Sequence, residues 1–261
     1  MNLFSCIDRA PHSLNPARLH SEDKTDHVDL ARRIALETHC AVAVPNYRLS
    51  PRNPATESGD RGAVRHPEHA QDVLHALEFL HTHGRGTTNE PLLSAAYNPS
   101  KIVLIGHSCG AHILASILVE VSHHELSPSA GLLAAVRGAI TTEGIFDIEL
   151  LLQDFPTYGV WFIDIAFGGR KNYRDVSVTH FRERKCLPWL LVHSRGDDLI
   201  NLAQSRAMHD WIVESRQSNG EESDVGVETE WERFNDEHDA VLQNPELVKR
   251  IALFVTKHTE S

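Results

Sequence analysis

No apolar run in this 261-residue chain is long enough to cross a membrane. Its apolar stretches, such as 41–44, 102–105 and 187–192, fall far short of the roughly 20 residues a spanning helix requires. Met1 to Asp8 lacks the basic stretch and long apolar segment of a secretory leader. Cysteine is scarce: Cys6, Cys40, Cys109 and Cys186 are scattered with no CxxC spacing, which argues against a disulfide framework and fits a reducing, cytoplasmic location. The one Asn-x-Ser match, Asn98-Pro99-Ser100, is blocked as a glycosylation site by its proline. Basic residues are outnumbered, 25 against 36 acidic, giving a net charge of −11. With no basic cluster to neutralise a run of phosphates, nucleic acid is not an expected partner. No HExxH or clustered Cys/His pattern suggests a metal.

What the chain does have is alternation. Thr25 to His39 carries Val28, Ala31, Ile34 and Ala35 at helical spacing, with Asp26 or Thr25 available as a cap, and delivers the chain to a buried strand at Cys40–Pro45. A polar loop follows over 46–65. Pro67 suits the first position of a helix reaching about His83, with Ala70, Val73, Leu74, Leu77 and Leu80 on one face. Further strands are expected at Ala134–Thr142, Leu187–His193 and Val225–Phe234, and a closing helix at Glu246–Lys257. Strands alternating with helices predict one α/β domain spanning 1–261, a mostly parallel sheet covered on both faces. An aromatic-rich insertion at about 146–184 resembles a cap. Aromatics after a strand's carboxyl end can either roof a pocket or simply cover the sheet edge.

Chemistry concentrates at Lys101–Ile113, where a short apolar run feeds Gly106-x-Ser108-x-Gly110 and a helical pattern follows. A serine on so tight a strand-to-helix turn has its hydroxyl pushed out of the sheet: the nucleophile elbow of a serine hydrolase. Such a serine needs a base, and the base an orienting acid, in the order Ser, Asp or Glu, His. Asp197 lies after the strand ending at His193, and His238 follows the last strand, so Ser108, Asp197 and His238 are the expected catalytic residues. Asp198 remains an alternative acid. The other histidines, including His81, His83, His123 and His124, read as solvent-facing or helix-end residues, and His107 and His112 as structural neighbours of the elbow. The Cys109 backbone N–H is the expected first oxyanion donor.

The elbow, together with Asn46-Tyr-Arg-Leu-Ser-Pro51, His66-Pro-Glu-His-Ala-Gln-Asp-Val73, Glu143-Gly-Ile-Phe-Asp147, Leu152–Tyr158 with Ala166–Gly168, His193–Leu199 and His238–Leu242, resembles the fungal kynurenine formamidases (arylformamidases), which are α/β-hydrolases. The resemblance covers roughly 25–258. It implies hydrolysis of N-formyl-L-kynurenine to L-kynurenine and formate in tryptophan catabolism, with no cofactor and a small aromatic formamide as substrate. A homodimer is left open. Because a formyl group is the smallest acyl unit, the insertion aromatics Tyr158, Trp161 and Phe162 are expected to hold the kynurenine ring.

One departure accompanies the match. Family members carry a His-Gly-Gly-x-Trp segment after a central strand, whereas no glycine precedes Gly59 here. The sheet is therefore expected to be N-terminally truncated, without the strand between the Ala41 strand and the elbow strand. It is also expected to lack the second oxyanion donor, a loss typically costing about 2.7 to 4 kcal/mol of transition-state stabilisation. The same residues would also suit a carboxylesterase of this fold, or a truncated product with impaired catalysis.

Overall fold

The computed structural model describes residues 2–6, 23–50, 63–83, 97–121, 124–218, 220 and 226–259. Six strands form one sheet: β1 (Asn2–Cys6), β2 (Ala41–Ala43), β3 (Ile102–His107), β4 (Val136–Thr142), β5 (Trp189–Val192) and β6 (Val227–Glu230), in the order β2-β1-β3-β4-β5-β6. Every neighbouring pair is parallel. Parallel strands need crossovers, and helices supply them: α1 (Val28–Thr38), α2 (Glu68–His83), α3 (Cys109–Leu118), α4 (Ala130–Ala135), α5 (Ile148–Asp154), α6 (Asp164–Phe167), α7 (Leu202–Ser218) and α8 (Pro245–Thr259).

Alternate residues of each central strand enter opposite cores, as the two-residue period of a strand requires. Ile102, Leu104, Trp189 and Leu191 join the side chains of α2, α3, α4 and α7 on one face. Val103, Ile105, Leu190 and Val192 join α1 and α8 on the other. Burial on both faces is why these strands read as continuous apolar runs. A third cluster, Ile145, Ile148, Leu151, Tyr158, Ile163, Tyr173, Val176 and Ile200, joins the insertion to the chain beyond β5. Below α7, Arg216 donates to both oxygens of Glu183 at 3.0 and 2.9 Å, and the Trp189 indole donates to the same carboxylate at 2.8 Å. This ion pair is buried but well supplied with hydrogen bonds.

The expected gap in the sheet is not there. Asn2–Cys6 occupies the position between β2 and β3, pairing Asn2–Phe4 with Ala41–Ala43 and Asn2–Cys6 with Ile102–Gly106. Hydrogen-bonding neighbours on both sides satisfy the backbone of a segment whose own composition is a weak strand signal. The stretch that would carry the second oxyanion donor, 7–22, lies outside the described residues, as does 51–62 of the long polar loop.

Smaller differences concern element ends. The first helix starts at Val28 with His27 at its cap position, and neither Asp26 nor Thr25 caps it. Instead, Asp26 accepts the Asp23 N–H at 2.6 Å. Its other end is set by His39, whose φ of 52° is left-handed. His81, expected at a helix end, is there but buried, with Nδ1 2.9 Å from the Pro99 carbonyl. The last strand is shorter than its alternation suggests; just before it, Gly226 takes φ 78° against Pro188.

Candidate active site

β3 ends at His107, and the chain reverses at Ser108 with φ 51° and ψ −120° before entering α3. Holding a non-glycine residue there costs on the order of 1–3 kcal/mol, which the surroundings must supply. They do so through the Ser108 N–H, which donates to the Thr142 carbonyl at 2.9 Å and ties the turn to β4. Gly106 makes the turn sterically feasible, because a Cβ there would lie 2.7 Å from the Gly110 carbonyl oxygen and 2.8 Å from the Ala111 nitrogen. Cys109 opens α3, and its thiol lies 3.6 Å from the Tyr47 hydroxyl.

Beyond β5, the loop 194–198 turns tightly against the loop 234–238 that follows β6. The Arg195 N–H donates to Phe234 O at 3.0 Å, and Ser194 Oγ donates to Asp236 O at 2.6 Å. Gly196 allows this approach, since a Cβ would sit 2.4 Å from the Asn235 oxygen. The docking brings two of the expected residues into contact: His238 Nδ1 is 2.9 Å from Asp197 Oδ2, with both side chains almost fully buried. Asp198 instead accepts the His238 backbone N–H at 3.3 Å. The carboxylate on the imidazole ring is therefore that of Asp197.

Asp197 Oδ1 also accepts the N–H groups of Leu199 and Ile200 at 2.8 and 2.9 Å. Burial works to raise its pKa, but the hydrogen bond and charge of His238, with those amides, hold it well below the ordinary carboxylate value. An ionised Asp197 fixes the proton on Nδ1 and leaves Nε2 as the acceptor nitrogen of the neutral ring.

A carboxyl group not singled out as functional in the sequence sits beside this pair. Glu143 follows β4 with φ 52°, is fully buried, and accepts the Ser194 N–H on Oε1 at 2.9 Å. Burial first, then the hydrogen bond and charge of Asp197, push its pKa well above the usual range. His193 Nε2, 3.5 Å from Glu143 Oε2, donates to the Ile200 carbonyl at 3.0 Å while Nδ1 meets Ser205 Oγ at 2.9 Å. Burial lowers the pKa of His193, so its ring is neutral. The sequence signal was present in Glu143-Gly-Ile-Phe-Asp147, but nothing in it reveals which carboxyl carries a proton.

His107 lies on the far side of the base, its ring centroid 4.7 Å from that of His238, with Nδ1 2.8 Å from Thr142 Oγ1 and Nε2 3.6 Å from Asp239 Oδ1. His107, His238 and Asp239, and likewise Glu143, His193 and Asp197, bring their donor atoms within 4.8 Å of one another. Hydrogen bonds made within and around each group account for that closeness, and we assign neither as a metal site.

The wall beside α3 is aromatic. His112 packs edge-on to His66 and Phe167 at centroid distances of 5.6 and 5.3 Å, and the His66 N–H donates to Ala166 O at 2.7 Å. Burial pushes both His112 and His69 down to about 4. Of the three aromatics expected at the substrate, Tyr158 is buried, stacks on Phe155 at 4.9 Å and donates its hydroxyl to Leu199 O at 3.0 Å. Trp161 and Phe162 are half-buried against it, with centroids 5.1 and 5.3 Å away. Phe167, another aromatic of the insertion, and Tyr47 also lie against the elbow helix, touching His112 and Cys109.

A parallel sheet with an elbow serine after β3, and an Asp–His pair on the loops after β5 and β6, defines an α/β-hydrolase. Residues 20–212 match the alpha/beta hydrolase fold family, and the chain belongs to it. It is similar to a kynurenine formamidase from Meyerozyma guilliermondii, 29% identical over 181 residues, covering 64% of this chain and 57% of that protein. A kynurenine formamidase-like hydrolase from Fusarium equiseti is 28% identical over 183 residues, covering 64% and 56%. The chain thus spans little more than half the length of these two relatives. Among solved structures, a truncated carbohydrate esterase from gut microbiota superposes with a TM-score of 0.67 at 15% identity, over 99% of this chain and 86% of that one. Fungal esterases from Rhizomucor miehei give 0.67 at 15% identity, over 98% and 73%. At such identities the likeness is of fold. Among the described residues, no helix is long and apolar enough to cross a membrane.

Proposed function

We propose that the chain is a serine hydrolase that cleaves the formamide of N-formyl-L-kynurenine, without a cofactor. The observation that carries the reading is the 2.9 Å contact of Asp197 Oδ2 with His238 Nδ1, formed on the loops that follow the elbow in chain order. Similarity to proteins named kynurenine formamidase supports this choice of substrate. Ser108 Oγ attacks the formyl carbon while His238 Nε2 takes its proton. The oxyanion is met by the Cys109 N–H at the head of α3. His238 then gives the proton to the departing aniline nitrogen, releasing kynurenine and leaving formyl-Ser108. Water, deprotonated by the same nitrogen, releases formate and restores the serine.

Asp197 keeps the imidazole in the required tautomer and stabilises the imidazolium. Tyr158 braces the acid loop through Leu199, and Trp161 and Phe162 offer the half-buried aromatic surface for the kynurenine ring. A carboxylesterase is the second reading, favoured by the esterases among the similar folds. Turnover of N-formyl-kynurenine, compared with p-nitrophenyl acetate under the same conditions, separates the two. The formamidase reading expects the larger kcat/KM on the formamide; the reverse order would replace it with the esterase.

A further inference from the structure

We propose that Glu143 is a positioning residue of the Ser108 machinery: a carboxyl that stays protonated at neutral pH, donates its own proton to Asp197 and so holds that carboxylate against His238. The proposal rests on the serine-hydrolase reading. Glu143 and Asp197 bring carboxyl oxygens within 4.8 Å of each other, both against His193 Nε2 at 3.5 and 3.8 Å. In so dry an interior they must share a proton, because two carboxylates there would repel strongly. The hydrogen bonds decide which one carries it. Asp197 faces three donors, namely the His238 ring and the Leu199 and Ile200 amides, and is satisfied as an anion. Glu143 receives one, the Ser194 N–H on Oε1. Among the described residues nothing donates to its solvent-inaccessible Oε2. The proton belongs on Oε2, directed at Asp197.

The surroundings offer no alternative. His193 is nearest, but its Nε2–H is committed to Ile200 O, and its ring is neutral. Asp236 adds negative charge that further disfavours ionised Glu143. Of the other titratable groups at this corner, His238 faces Asp197 and His107 faces Asp239. Asp198 accepts the His238 backbone N–H, and the Tyr158 hydroxyl, its pKa raised by burial and by the charges of Asp197 and Asp198, donates to Leu199 O. Glu143 is also anchored at its backbone, where its N–H donates to Val192 O at 3.2 Å and its φ is left-handed. A residue strained in this way, and carrying a buried acid, is expensive as mere filling. Its side chain links the end of β4 to both Ser194 and Asp197, so one group sets the position of the whole acid loop.

Glutamine reproduces both contacts, with Nε2 donating to Asp197 and Oε1 accepting from Ser194, whereas leucine reproduces only the volume. Wild type, Glu143→Gln and Glu143→Leu are to be compared by phosphonylation of Ser108 with a fluorophosphonate across pH, by thermal unfolding, and by infrared spectroscopy of protonated carboxyls. Wild type should show a carboxylic-acid band persisting at about pH 8, well above the ordinary glutamate value, and Glu143→Gln should lack it. Glu143→Gln should label within about threefold of wild type and Glu143→Leu at least tenfold more slowly, the size of a lost buried hydrogen bond. Wild type should lose labelling rate at the alkaline end, where Glu143 ionises, and Glu143→Gln should not.

Folded Glu143 binds a proton that the unfolded chain has already lost above about pH 4.3. Its contribution to stability is therefore full below that pH and declines as pH rises toward the folded pKa. The Tm of Glu143→Gln relative to wild type should accordingly climb from about pH 5 to about pH 8. An absent infrared band, or a pH-independent Tm difference, would overturn the neutral carboxyl even if the leucine variant fails to fold. Labelling of Glu143→Leu at the wild-type rate would overturn the positioning role. If the band is present but wild-type Ser108 never reacts, the hydrolase reading falls, and the positioning role with it, while the proton's location stands.

Discussion

Replacing Asp197 and Asp198 separately by asparagine gives two outcomes that the geometry fixes in advance. Asp197 is the only one of the two that touches the His238 ring, at 2.9 Å, and it is ionised. In Asp197→Asn, the amide can still accept the Leu199 and Ile200 N–H groups through Oδ1, so the loop should keep its shape. The amide nitrogen would then face His238 Nδ1, and a donor cannot face a donor. The ring must place its proton on Nε2, the atom that has to accept from Ser108. A wrong-tautomer base of this kind costs about four orders of magnitude in kcat, equivalent to ~5.4 kcal/mol of barrier. Asp198 contributes only a 3.3 Å acceptance from the His238 backbone N–H, which asparagine retains. Asp198→Asn should change kcat by less than about twofold. The assay is kcat on N-formyl-kynurenine with Tm measured on the same samples, both variants staying within about 4 °C of wild type. Equal losses in the two variants, or a larger loss in Asp198→Asn, would refute the assignment of the acid.

Gly196→Ala tests the docking of the two loops, because the new methyl would stand 2.4 Å from a backbone oxygen and 2.6 Å from a backbone carbon of Asn235. The expected cost is about 1–3 kcal/mol of stability, and on the order of 100-fold in kcat from misplacement of His238; unchanged Tm and rate would contradict it. Glu183→Ala leaves the Arg216 guanidinium buried without its anion. That should destabilise by about 3 to 5 kcal/mol, a fall in Tm on the order of 10 °C for a chain of this size, with wild-type kcat/KM retained at low temperature. A Tm within 2 °C of wild type, roughly half a kcal/mol, would argue against the pair's role.

Strands β3 and β5 were legible because burial on both faces leaves an uninterrupted apolar run, and the elbow because Gly106 and Ser108 meet a steric requirement that few sequences satisfy. Asn2–Cys6 was not, since its strand conformation comes from neighbours on both sides rather than from its composition. Helix α7 escaped notice for the opposite reason: part of its buried face is polar. Gln204 is fully buried, accepting the Phe146 and Asp147 N–H groups and donating to Asp147 O, and Arg216 is paired with Glu183. Periodicity of apolar residues cannot register such a face. At the site, the elbow motif marked Ser108, and chain order pointed to His238 and to Asp197 or its neighbour Asp198. The choice between adjacent aspartates and the part played by Glu143 depend on which carboxyl faces which donor, and that is a property of the folded loops.

The most direct test of the account is the release of kynurenine and formate from N-formyl-L-kynurenine by the purified chain and by its Ser108→Ala variant, with Tm recorded for both. The account predicts stoichiometric release of the two products by wild type and loss of turnover in the variant at an unchanged or slightly raised Tm. Equal turnover by the two proteins, or none by a correctly folded wild type, would contradict it.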